Sequence, residues 1–179
     1  MRSIFFFLLC VQAFPATEVY FSPSPDCENR IVKAIRESKT DIVAAVYSIN
    51  NRKILDELAA AKKRGVSVRV LTDRIQATQK SSGLSMLLDS GIDTRVHSKF
   101  KIEHNKFGVY DGKWVSTGSF NWTGPAARSN SENCLFTDEA AAVAKYKERF
   151  DFLWEKNTAA GSNARIAKIQ AKRNKKQFK

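Results

Sequence analysis

Two hydrophobic periods alternate along this chain. Glu18 to Ser22 is a short strand-like run, and Pro25-Asp26 opens a stretch in which Ile31, Ala34 and Ile35 recur on one helical face. Asp41 to Tyr47 is almost uninterrupted apolar, the pattern of a strand covered on both sides. Asn50 is placed to cap a helix that turns Ile54, Leu58 and Ala61 inward. Lys62-Lys63-Arg64-Gly65 ends it, with basic residues in the last turn and glycine just beyond. Val66 to Leu71 predicts a strand, and Ser82 to Ser90 a helix on Leu84, Leu87 and Leu88 that Gly91 stops. Ile92 to Val96 and Cys134 to Thr137 read as strands, and Asp138 caps a last helix striped by Val143, Tyr146, Phe150 and Leu153. Strands separated by helices predict an α/β fold: a mixed, largely parallel sheet flanked by helices on both faces.

One stretch adds chemistry to the pattern. From His104 to Asp111, alternation puts His104, Lys106 and Gly108 on one face and Asn105, Phe107, Val109 and Asp111 on the other. After a turn at Asp111-Gly112-Lys113, Trp114 to Thr117 runs back beside it and delivers Ser119 and Asn121 to the same end of the sheet. Glu132, eleven residues past Asn121, adds a carboxylate able to hold an imidazole. A phosphodiester is anionic, so its site needs fixed positive charge and donors for the non-bridging oxygens, which Lys106, Ser119 and Asn121 supply. A neutral imidazole nitrogen can attack phosphorus while a second imidazole protonates the departing oxygen. By alternation Asp111 points away from Lys106 and supports the strand. His97-Ser98-Lys99 repeats the His-x-Lys string, but His104 stands where its aspartate should fall, so His97 is read as a loop or strand-end residue.

The whole H-x-K-x4-D-x6-G-S-x-N pattern resembles the catalytic signature of the phospholipase D superfamily. With one motif copy and the downstream Asn130-Ser131-Glu132-Asn133, the chain is similar to its small bacterial Nuc-type endonucleases, from Phe21-Ser22-Pro23 to Trp154. The resemblance implies a phospholipase D-like α/β/α sandwich. It also implies His104 as nucleophile or acid, Lys106, Ser119 and Asn121 as phosphate ligands, Glu132 as the histidine's partner, and Asp111 as the residue completing the motif. A homodimer with its site on the two-fold axis is implied too, because larger members carry two motifs in one chain. The sequence alone also leads there, since two imidazoles are needed and only one complete motif is present.

Composition refines the picture. A chain of 179 residues with 43% hydrophobic content holds one domain with a proper core. Residues 1–16 read as a secretory signal, with Arg2 before the apolar run Ile4 to Val11 and cleavage near 13–16. Gln12 and Pro15 cut that run short of a membrane span, so the expected location is periplasmic or secreted, with no stable membrane insertion once the signal is removed. Cys27 and Cys134 then remain, a disulfide candidate in an oxidising compartment, or else two separate buried thiols. No Cys/His cluster has metal-ligand spacing, so neither metal nor cofactor is expected. Residues 17–157 form the expected catalytic domain, with the loop from Thr72 to Ser81, carrying Arg74 and Lys80, at the rim of its groove. Residues 158–179 are a basic, flexible tail. From Lys156 onward there are eight Lys or Arg and no acid, and Ile166 and Ile169 are too few for a core. The tail is either an arm for nucleic acid or an anionic surface, or simply solvated.

Net charge of +12 and a phosphodiester site together point to a metal-independent endonuclease acting on DNA, with RNA as a further substrate. A hydrolase of phospholipid headgroups or cardiolipin uses the same chemistry at phosphorus and is the alternative. A non-catalytic nucleic-acid-binding module would keep the charge but has no need of His104 or Glu132.

Overall fold

The computed structural model describes residues 14–177, with side chains described through residue 172. The expected signal sequence therefore lies almost wholly outside the described residues. A seven-stranded sheet forms the centre: β1 (Thr17–Ser22), β2 (Asp41–Val46), β3 (Ser67–Thr72), β4 (Asp93–Val96), β5 (Lys106–Tyr110), β6 (Trp114–Gly118) and β7 (Glu132–Thr137). Its order is β1-β7-β6-β5-β2-β3-β4. Only β2–β3 and β3–β4 pair in parallel, whereas β1–β7, β7–β6, β6–β5 and β5–β2 are antiparallel. The sheet is mixed as expected but largely antiparallel. The motif hairpin enters its middle, beside β2, and turns every strand on that side.

Helices cover both faces. The side chains of β2 show why its sequence is continuously apolar. Ile42, Ala44 and Val46 join a core under α1 (Asp26–Glu37), α2 (Arg52–Lys63), α4 (Leu84–Asp89) and α5 (Gly124–Arg128). Val43 and Ala45 join a second core under α6 (Ala140–Lys156), with Phe107, Val109, Val115, Phe150 and Leu153. Fully burying each of the valine, isoleucine, leucine and phenylalanine side chains contributes about 1.5–3 kcal/mol. Cys27 on α1 and Cys134 on β7 are joined as a disulfide inside the first core, tying α1 to the strand beside the edge strand β1.

Two expectations at helix ends, one in a loop and one at the tail need correction. Asn51, not Asn50, caps α2, accepting from the Ile54 N–H at 3.3 Å, while Asn50 Oδ1 accepts from Gly124 N. Glu139 caps α6, and Asp138 instead accepts from Ala16 N at 2.6 Å. The loop after β3 contains a short helix, α3 (Arg74–Thr78), capped by Asp73. The tail forms α7 (Ala159–Gln177), and Ile166 and Ile169 are buried against Ala77, Leu84 and Val96. Two isoleucines suffice here because the other apolar groups come from α3, α4 and β4. Ser162 of α7 accepts from the Val96 N–H at 2.8 Å, satisfying a donor on the edge strand β4.

Candidate active site

The cleft opens at one end of β5 and β6. His104, Lys106, Gly118, Ser119, Asn121 and Glu132 line a concavity of about 380 Å³. A larger concavity, about 650 Å³ between Pro23 and Arg128, has none of these groups. His104 precedes β5 rather than lying on it, and its side chain is exposed. Among the described residues its ring makes no hydrogen bond. Its neighbour is Tyr47, whose ring lies 4.7 Å away at 56°. Tyr47 was not singled out from sequence, yet it touches both halves of the His-x-Lys pair, since Lys106 Nζ stands 5.1 Å from its ring centroid. The only hint was an aromatic residue closing a buried strand.

Lys106 is 9% exposed, and its ammonium donates to the His104 carbonyl at 2.6 Å. Burial pushes its pKa down, while Glu132 and Glu103 pull it back up. A poorly solvated cation with one neutral acceptor can gain much from an anionic ligand. Ser119 Oγ donates to Glu132 Oε2 at 2.5 Å and accepts from Asn133 N at 3.0 Å, and Asn130 Nδ2 donates to Glu132 Oε1. Within one chain, then, the Glu132 carboxylate holds Ser119 and Asn130 and makes no bond to His104, contrary to the expected imidazole pairing. Asn121 Oδ1 is buried with no hydrogen-bond partner among the described residues. A buried amide oxygen without a donor is open to an N–H or O–H of a ligand or a second chain.

Gly118 explains the glycine of the motif. A Cβ there would stand 2.3 Å from the Asn133 carbonyl oxygen, the acceptor for the Ser119 and Phe120 N–H groups. That close approach sets where Ser119 points. Gly108 does not leave open space, because Tyr110 and Trp122 close over it at 2.8 and 3.0 Å from a notional Cβ.

Asp111 lies at the opposite end of β5, with φ 52°. Its carboxylate accepts from the Lys39, Thr40 and Asp41 N–H groups and from Thr40 Oγ1, at 2.8–3.1 Å. Burial alone would raise its pKa, but these bonds outweigh it and hold the group below the usual range. It therefore pins the β5–β6 turn to the start of β2. Behind the cleft lies a polar layer that sequence reading also missed. Asp73 accepts from Glu103 N, Glu103 from Asn105 N and Nδ2, and Tyr47 OH from Gln76 Nε2. Nothing in the sequence marked these acids, because ordinary loop carboxylates are solvated.

An ammonium, a hydroxyl, an amide and an unengaged imidazole thus meet at one sheet end, the groups that phosphodiester chemistry calls for. The chain belongs to the phospholipase D-like family: the family model described as "Cardiolipin synthase, PLD-like domain" matches residues 31–154. Within that superfamily it resembles the Nuc type, with a single motif. It is similar to the mitochondrial cardiolipin hydrolase of Danio rerio, 32% identical over 133 residues, covering 74% of this chain and 59% of that protein. A phospholipase D of Rickettsia prowazekii is 34% identical over 130 residues, covering 73% and 63%. The chain thus spans about three-fifths of the length of these relatives. Among solved structures, the phospholipase D family member Nuc from Salmonella typhimurium superposes with a TM-score of 0.77 at 32% identity, covering 81% of this chain and 97% of that one.

Proposed function

We propose that the protein is a metal-independent, non-specific endonuclease that hydrolyses DNA, and RNA as a second substrate, at a site shared by two copies. The observation that carries the reading is an open phosphate-handling cleft on a chain of net charge +12. Strong positive charge draws a polyanion to the surface and speeds its capture. In the reaction, a His104 ring nitrogen attacks phosphorus and forms a P–N bond as the P–O bond to the leaving nucleotide breaks. A second imidazolium protonates that oxygen. The resulting neutral imidazole then takes a proton from water, whose oxygen displaces His104. Lys106 and Asn121 stabilise the charge on the non-bridging oxygens in both steps, and Ser119 donates once Glu132 releases its proton from that bond.

The second imidazole supports sharing between copies. The chain holds two histidines, and His97 is fully buried with both ring nitrogens in contact with hydrogen-bonding groups. A two-fold-related His104 supplies the missing group, and a carboxylate for His104 can come from the same second copy. The disulfide supports export to an oxidising compartment, periplasmic or extracellular.

Hydrolysis of plasmid DNA in excess EDTA, assayed against cardiolipin vesicles under the same conditions, tests the reading. DNA should be cut and lipid left intact, and complete reversible loss on chelation would count against the mechanism. The reverse preference would favour a lipid hydrolase, a reading that the names of the curated relatives support. Mixing active and His104→Ala chains under subunit exchange tests the shared site. Activity should follow the square of the active fraction, and a linear response would exclude sharing.

A further inference from the structure

We propose that Phe100, Arg149, Phe152 and Lys156 form a stacking track that leads a single-stranded nucleic acid to the cleft, an inference that rests on the nuclease reading above. Phe100 and Phe152 are 45% and 42% exposed, large aromatic side chains that the fold leaves uncovered. They come from different elements, the loop before β5 and helix α6, yet share one cation. The Arg149 guanidinium carbon stands 5.7 Å from the Phe100 centroid and 5.3 Å from that of Phe152. Lys156 Nζ follows at 5.6 Å over Phe152. Aromatic, guanidinium, aromatic and ammonium thus succeed one another across the surface.

Phe100 is held in advance of any ligand. Its ring stacks on the buried His97 imidazole at 5.4 Å and 13°, and its N–H donates to His97 Nε2 at 2.7 Å. The loop is tied on either side, with Ser98 N donating to Asn157 and Arg74 donating to the Lys101 carbonyl. A ring fixed in this way loses little entropy when a base stacks on it. Phe100 also stands only four residues before His104, at most about 14 Å of chain, which places it within a few nucleotides of the reacting phosphorus.

The charge favours a polyanion with exposed bases. Lys99 and Lys101 flank Phe100 and are exposed. Glu148, which lines the 360 Å³ concavity beside Phe152, is already paired with Lys145 at 2.8 Å. Glu155 is the remaining exposed acid on this turn of α6 and is outnumbered. A lipid surface fits less well. Inserting the two rings into hydrocarbon would drag the guanidinium between them out of water, a large cost. A single strand offers bases for the rings and phosphates for the cations together, the combination that sequence-tolerant single-strand sites use.

Affinity for fluorescent oligodeoxynucleotides as a function of length tests the proposal on the full chain. The wild type should bind a strand of about twelve nucleotides more tightly than a dinucleotide. Phe100→Ala and Phe152→Ala should each weaken binding of the longer strand by about ten-fold and erase most of the gain with length. Phe152→Trp should restore it, and Arg149→Ala should reduce the salt slope by about 0.7. Circular dichroism and sedimentation of each variant check folding and assembly. Tight binding of the long strand that ignores both phenylalanines would overturn the track while leaving the nuclease reading intact. Failure of the wild type to bind or cut any nucleic acid would overturn both. Loss of binding to anionic vesicles without loss of oligonucleotide binding, or a change of oligomeric state in the alanine variants, would reassign the surface and overturn the proposal.

Discussion

His97-Ser98-Lys99 and His104-Asn105-Lys106 share the His-x-Lys pattern seven positions apart, and the fold treats them in opposite ways. His97 is completely buried at the end of β4. Its Nε2 accepts from the Phe100 N–H, its Nδ1 lies 3.1 Å from Asn157 Nδ2, and its ring is stacked on Phe100. His104 is exposed, its ring bonds to nothing among the described residues, and only Tyr47 leans on it. The first histidine spends its bonding capacity on the protein and the second keeps it for a ligand. What separates them is the company each keeps in space. Asn157, from the corner between α6 and α7, closes over His97, whereas the hairpin end around His104 faces solvent.

Substituting each histidine in turn should give the largest and most informative contrast. His104→Ala should lower turnover by at least about 10⁴-fold while leaving urea-induced unfolding where it was. His97→Ala should do the reverse. It leaves a cavity and strips the Phe100 N–H of its acceptor, which should cost about 3 kcal/mol of stability. A His97→Ala protein as stable as wild type would erase the distinction.

Asp111 extends the contrast to another motif residue. It carries the aspartate of the signature, yet its oxygens are occupied by three backbone N–H groups and the Thr40 hydroxyl. Asp111→Ala should cost about 2 kcal/mol in denaturant unfolding, with activity following the folded fraction. A drop in turnover as deep as that of His104→Ala, in fully folded protein, would move Asp111 into the chemistry.

Deleting residues 158–179 should have a comparable or slightly smaller effect on stability, about 1–3 kcal/mol, because it uncovers Ala77, Leu84 and Val96 and leaves the Val96 N–H without Ser162. An unchanged midpoint would mean that α7 adds charge alone.

The motif was legible because its spacing is short-range. A strand, a turn and a returning strand bring Lys106, Ser119 and Asn121 together whatever the rest of the chain does. The apolar run of β2 likewise announced a strand covered on both faces. Three features were hidden because they depend on distant partners. The sheet is mostly antiparallel because β5 pairs with β2 in its middle, a choice that local periodicity does not encode. Ile166 and Ile169 look too sparse for a core until Val96 and Leu84 are seen to lie bare beneath them. Nothing local in the sequence sets Asp73 and Glu103 apart from ordinary loop acids, and only the fold makes them acceptors for the chain that carries His104.

The smallest effect is the one that probes His97 directly, through acid. Burial pushes the His97 pKa below its ordinary 6.5, with Glu103 and Asp73 pulling upward and Arg74 and Arg165 adding to the depression. The folded state therefore resists a proton that the unfolded chain accepts. Stability is whole above pH 6.5 and declines as pH falls from there toward the lowered folded value, at no more than about 1.4 kcal/mol per pH unit for one proton. Asp111 is also depressed, from 3.8, so its contribution stays intact through that window and is lost only in stronger acid. Urea unfolding followed from pH 7.5 to 5 should thus show a shallow fall that His97→Gln flattens. If the slope survived His97→Gln, the buried histidine would not be the group that acid attacks, and its enclosure would count for less than the geometry around it implies.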